Sequence, residues 1–196
     1  MAKQISLNID ALDADSKRAV LNGFQQAGDV PYLHAATRLG NVEVVAEYLS
    51  ESGGGDVNVR DSGNRTMAHI AARVPGVACS TLLEMYRDQG GDLDAQANGG
   101  LSILHIATFW RNQDAMRQLL EAGANPNIQN LQGDTPLMVA LLNDDLEGAR
   151  TLLEFNASPV IANARGQTPL DACVSLDAMQ LVQKAISTRT LRLPGL

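Results

Sequence analysis

The sequence predicts an all-α fold with short β-hairpin turns, a solenoid of about five stacked helix-turn-helix units. Two observations predict it. A short motif recurs at a nearly constant interval, and a second set of residues recurs in phase with it. Internal periods of roughly 20–50 residues mark architectures built from stacked units. A single helical pair cannot bury its apolar face alone, so each unit needs a neighbour.

The first element lies ahead of the repeats, in residues 1–29. Ile5, Leu7 and Ile9 alternate with polar residues, which suggests a short extended segment. Asp15 to Ala27 reads as a helix, with Asp15 or Ser16 capping its start and Gly28 ending it. Val20, Leu21, Phe24 and Ala27 share one face of that helix. It reads as a cap over the open core of the first unit, with a separate docking helix as the alternative.

Residues 30–188 carry the repeats, at about 30–60, 61–96, 97–129, 130–162 and 163–188. The motif is Thr66-Met67-Ala68-His69-Ile70-Ala71, then Ser102-Ile103-Leu104-His105-Ile106-Ala107 after 36 residues. Thr135-Pro136-Leu137-Met138-Val139-Ala140 and Thr168-Pro169-Leu170-Asp171-Ala172-Cys173 follow at intervals of 33. Pro31-Tyr32-Leu33-His34-Ala35-Ala36 is a weaker copy, 35 residues before Thr66. Thr or Ser caps a helix, and Pro at its first turn costs nothing because that N–H has no intrahelical partner. First helices are therefore expected to start near Tyr32, Met67, Ile103, Pro136 and Pro169. Small residues such as Ala35-Ala36, Ala71-Ala72 and Ala107 let paired helices approach closely. Leu49, Leu83, Leu120 and Leu153 close the second helices, and Gly63, Gly100, Gly133 and Gly166 stand near each hairpin turn. Residues 189–196, with Pro194 and Gly195, read as a loose C-terminal tail.

These residues resemble the ankyrin repeat family, with its Thr-Pro-Leu-His-x-Ala signature and 33-residue period. The resemblance covers roughly Pro31 to Ile186. It implies L-shaped units, each a hairpin finger and two antiparallel helices. It also implies binding of another protein through the hairpin tips and the concave helix face. The pattern is broken by an insertion at Ser52-Gly53-Gly54-Gly55, by Pro75-Gly76 between the second unit's helices, and by Met138 and Asp171 in the histidine slot.

The resemblance also points to the residues that follow the small pair of each first helix. These are Arg38 and Leu39, Arg73 and Val74, Phe109 and Trp110, and Leu142 and Asn143. Trp110 is the only tryptophan. Aromatic and arginine residues dominate binding hot spots. Arg38, Arg65, Arg73, Phe109, Trp110 and Leu142 are thus the candidate partner-binding residues, with Arg38, Arg65 and Arg73 as a basic stripe beside an aromatic anchor. Packing between repeats is the competing reading for Phe109 and Trp110, and plain solvation for the arginines.

Catalytic chemistry finds little support in the sequence. His34, His69 and His105, the three histidines, occupy one slot of the repeat, so the period spreads them along the stack and suits backbone hydrogen bonds between repeats. Cys79 and Cys173 sit three repeats apart, too far for a disulfide. Gly53-Gly54-Gly55 lacks the Lys-Ser/Thr that a phosphate-binding loop requires. No cofactor, metal or small-molecule substrate is expected. The net charge of -7 disfavours nucleic acid and anionic membranes as partners. No secretory signal or membrane-spanning run is read, so a cytoplasmic monomer is expected. The function expected is that of a protein-binding adaptor or scaffold. The alternatives are an inhibitor or immunity-type protein masking one enzyme, and a bacterial effector acting on a host protein.

Overall fold

The computed structural model describes residues 29–50 and 56–192, and the side chains of 33–50 and 56–188. The cap helix expected over Asp15 to Ala27 and the triple-glycine linker lie outside the described residues. Four helical pairs follow one another. They are α1 (Asp29–Arg38) with α2 (Val42–Ser50), α3 (Met67–Ala71) with α4 (Val77–Asp88), α5 (Ile103–Phe109) with α6 (Gln113–Glu121), and α7 (Pro136–Leu142) with α8 (Leu146–Glu154). The long α9 (Leu176–Arg192) comes last and carries the helix through the first residues of the expected tail. First helices pack on first helices, α1 on α3, α3 on α5 and α5 on α7. Second helices pack likewise, α2 on α4, α4 on α6, α6 on α8 and α8 on α9. Among the described residues no strand forms, and an antiparallel bridge between Gln96 and Ser102 closes the base of one finger.

The core runs the length of this stack. Leu33, Met67, Ile103, Leu104, Leu137 and Leu141 are buried from the first helices, and Leu82, Met116, Leu119 and Leu152 from the second. The alanine slots are buried as well, at Ala36, Ala71, Ala72, Ala107 and Ala140. Each lets a neighbouring backbone approach where a longer side chain would hold it off.

Three ladders of hydrogen bonds tie each repeat to the next. In the first, the histidine Nε2 reaches a carbonyl one repeat on. His34 meets Arg65 O at 2.8 Å, His69 meets Leu101 O at 3.2 Å, and His105 meets Asp134 O at 2.9 Å. Nδ1 of His69 accepts the Thr66 N–H, and that of His105 accepts the Ser102 N–H. With Nδ1 as acceptor, the proton sits on Nε2 and is donated to the carbonyl. In the second ladder Asn58, Asp94 and Asn127 each accept, on a side-chain oxygen, the backbone N–H of the next loop, at Asp92, Asn125 and Ser158. In the third, the fingers bond edge to edge. Asn98 N–H donates to Gly63 O, Leu131 N–H to Gly99 O, and Ala164 N–H to Gln132 O. The fingers come so close that a Cβ on Gly133 would lie 2.5 Å from Ala164 N, so only glycine fits.

The departure at Pro75-Gly76 has a local consequence. Six residues after the histidine slot, Gly40, Arg111 and Asp144 take positive φ. Pro75 occupies that position in the second repeat and cannot. The positive φ moves to Gly76, which starts α4 without a side-chain cap. Asn41, Asn112 and Asp145 cap the corresponding helices instead. Asn112 Nδ2 then donates to Ala72 O and Val74 O, at 3.1 Å each, and so holds the irregular second repeat from the third.

The helix expected from Pro169 does not form. Pro169 to Ala172 makes a single turn. Asp171, in the histidine slot, turns back to accept from Thr168 N–H and Oγ at 2.8 and 2.7 Å. Ser175 then caps the start of α9 through Ala178 N–H. The chain thereby enters its last helix sooner than in the other repeats. The first helix also begins at Asp29, ahead of Tyr32.

Burial pulls the His69 pKa from 6.5 to about 4, partly offset by the Leu101 carbonyl, and burial lowers that of His105 also. Between those values the unfolded chain binds a proton that folded His69 refuses. Its contribution to stability is therefore complete above about pH 6.5 and is lost as the pH falls toward 4. Urea denaturation should show the unfolding free energy falling by roughly 3 kcal/mol across that window on account of His69 alone. In His69→Gln that part of the slope should vanish. An unchanged slope in the variant would show that His69 does not carry it.

Candidate functional site

The residues that end the first helices share one side of the stack. In α5, Ile103, Leu104, Ala107 and Thr108 are buried, and Thr108 Oγ1 donates to Leu104 O at 2.8 Å. The helix ends immediately after, with Trp110 as its C-cap. Phe109 and Trp110 therefore project beyond the buried turn and are 59% and 51% exposed. Their rings meet edge to face, with centroids 5.9 Å apart and planes at 80°. The Arg73 guanidinium, from the repeat before, lies 4.7 Å over the Trp110 ring. A cation against an aromatic face is worth about 0.5–1 kcal/mol at such exposure. Leu142, at the end of α7, is 53% exposed. Arg38 ends α1 and is exposed to solvent.

Arg65 is placed differently. It stands on the second finger, where its guanidinium pairs with Asp61 at 2.6 Å. Burial pushes the Asp61 carboxyl up, but the hydrogen bonds and charge of Arg65 outweigh it and hold the pKa below the usual carboxylate value. The structure thus brings together Arg73, Phe109 and Trp110 and commits Arg65 to its own finger.

The row extends further than sequence reasoning carried it. Arg111 Nη2 donates to Asn143 O, joining the ends of α5 and α7. Ser175 Oγ donates to Asp144 Oδ1 at 2.7 Å, joining α7 to the entry of α9. Beside these links Val174 and Leu176 are 62% and 76% exposed. Counting seven and eight residues on from Thr168, as from Ser102 to Phe109 and Trp110, would have found Ser175 and Leu176.

The cysteines are free. Burial pushes the Cys79 thiol up to about 11, which keeps it protonated and unreactive at neutral pH. No described helix is long and apolar enough to cross a membrane.

Stacked helical pairs joined by side-chain ladders, with an exposed row along one side, define a helical-repeat scaffold. The family model described as Ankyrin repeats (3 copies) matches residues 33–130 and again 104–188. The chain belongs to the ankyrin repeat family. It is 33% identical to the human BCL-6 corepressor-like protein 1 over 126 residues, 64% of this chain and 7% of that protein. It is 32% identical to the human Ankyrin repeat and SOCS box protein 3 over 102 residues, 52% of this chain and 19% of that protein. Mouse Rabankyrin-5 is 40% identical over 53 residues, 27% of this chain and 4% of that protein. The chain thus spans less than a fifth of each of these curated relatives. Ankyrin repeats are generally protein–protein interaction modules.

The exposure of Trp110 fixes what its removal does to folding. Trp110→Ala should lower the unfolding free energy by about 1 kcal/mol, the size of an exposed cation–π contact. Leu119→Ala, a fully buried position, should lower it by about 2–5 kcal/mol. Denaturant melts of the two variants compare them directly, and equal losses would mean that Trp110 packs as core.

Proposed function

We propose that the chain is a binding adaptor, without catalytic activity, that holds a partner protein along the concave side formed by its first helices and fingers. The observation that supports this most is the exposed row of Phe109, Trp110 and Leu142, continued by Val174 and Leu176. Solvation of one large apolar side chain needs no explanation, whereas an apolar row of this kind marks an interaction surface. Arg38 and Arg73 stand at one end of the row, Arg73 against Trp110. The partner therefore presents apolar side chains flanked at one end by acidic groups. Neighbouring helices pack about 8–10 Å apart. A row from the second repeat to the fifth thus spans roughly 25–30 Å, the length of a helix of about 17–20 residues.

In this reading Phe109 and Trp110 are the anchor. Truncating a hot-spot aromatic costs about 2–4 kcal/mol of binding, so Trp110→Ala should weaken association by roughly 30-fold or more. Arg73→Glu should mainly slow association and flatten its dependence on salt. Both are measured by surface plasmon resonance against the partner recovered by affinity capture. Normal binding by folded Trp110→Ala would place the site elsewhere.

A further inference from the structure

The third finger lacks a clamp that the other described fingers share. In the second, Asp61 Oδ1 accepts the N–H groups of Gly63 and Arg65. In the fourth, Asn130 Oδ1 accepts those of Gln132 and Asp134, and in the fifth Asn163 Oδ1 accepts those of Arg165 and Gln167. The third finger has Ala97 in that place, which carries no side-chain oxygen. The Gly99 N–H is therefore left without the acceptor that holds its counterparts.

The residue before Gly99 is an asparagine. Asn98 is exposed, and among the described residues its carboxamide makes no hydrogen bond. Other finger asparagines are held, Asn64 Nδ2 by Gln96 O and Asn163 Nδ2 by Asp134 Oδ1. Gly99 has no Cβ to keep its nitrogen from the neighbouring carboxamide carbon. The chain has one other Asn-Gly pair, Asn22-Gly23, which lies outside the described residues.

We propose that Asn98-Gly99 is a self-modifying site, which converts with age to isoaspartate and loosens the third finger from the fourth. The Gly99 nitrogen, giving up its proton to solvent base, attacks Asn98 Cγ. A C–N bond forms there, the bond from Cγ to the side-chain nitrogen breaks, and ammonia leaves. One water then opens the five-membered imide at either of its two carbonyls. Opening at the backbone carbonyl gives isoaspartate, and opening at the side-chain carbonyl gives aspartate. No oxidant or reductant takes part.

The position makes this reaction consequential. Asn98 N–H donates to Gly63 O, and Gly99 O accepts from Leu131 N–H, so this one pair is bonded to both neighbouring fingers. Isoaspartate adds a carbon to the main chain between those two groups. A Cβ on Gly100 would lie only 2.7 Å from Leu131 N, so the fingers leave no room for a longer loop. The bond to Leu131 is lost, and the stack weakens between its third and fourth repeats. None of this depends on what the exposed row binds.

The test ages the full chain in mildly alkaline buffer made with heavy-oxygen water and maps its peptides by mass spectrometry. Heavy oxygen should enter at Asn98, chiefly as isoaspartate, which an isoaspartate methyltransferase then labels. Ala97→Asp restores the clamp and should slow the reaction at least about tenfold in the folded chain. In urea the same variant should react as fast as the parent. Ala97→Asn restores the clamp without a charge and serves if Ala97→Asp does not fold. The aged chain should melt at a lower temperature, and aged Asn98→Gln should melt like fresh protein. The proposal is overturned if Asn98 stays intact, if neither clamp variant slows the reaction in the folded chain, or if the slowing persists in urea. An aged chain that carries the isoaspartate but melts unchanged overturns it too.

Discussion

The structure depends on one constraint: each repeat leaves polar groups and an apolar face that only its neighbour can satisfy. The Leu101 carbonyl accepts Ala97 N–H within its own finger at 2.9 Å and takes a second hydrogen bond from His69 Nε2 of the previous repeat at 3.2 Å. The loop amides of Asp92, Asn125 and Ser158 likewise meet side-chain oxygens one repeat earlier. Apolar packing supplies most of the cohesion, since leucines and alanines fill the interior end to end. The ladders set the register, because a helix pair slid or rotated by one residue would strand these donors and acceptors.

That division of labour frees the ends of the first helices. The histidine slot, the cap and the small residues are committed to cohesion. The seventh and eighth positions after the cap are not, and they hold residues as different as Arg73, Phe109 and Leu142. Such variety inside a core would leave voids or clashes. At the rim it changes only what the surface offers. Arg65, by contrast, sits on a finger, where its partner Asp61 is fixed by the hairpin itself, with Asp61 Oδ1 accepting from Gly63 N–H and Arg65 N–H.

Much of this was legible in the sequence because it is periodic. Thr66, Ser102 and Thr135 announce three helix starts, and the histidines announce contacts between repeats. What could not be read depends on aperiodic neighbours. The single turn at Pro169 goes with the early start of α9 behind its Ser175 cap, which the motif alone conceals. The exposure of Val174 and Leu176 follows from that turn. The pairing of Arg65 depends on Asp61 standing across a tight hairpin, and a stripe drawn by counting arginines misses it.

The ladders also end at definite places. Met138 stands where a histidine would reach the fifth repeat, and Val160 stands where Asn127 accepted an amide. This gives the array a direction in evolutionary terms. A duplicated copy of residues 97–129, inserted beside the original, would bring both His105 and Asn127 and find matching groups on either side. A duplicated copy of residues 130–162 would set Val160 of the original against Ser158 N–H of the copy, the amide that Asn127 accepts here, and would strand it. Gene duplication can therefore lengthen this array through residues 97–129 far more readily than through residues 130–162.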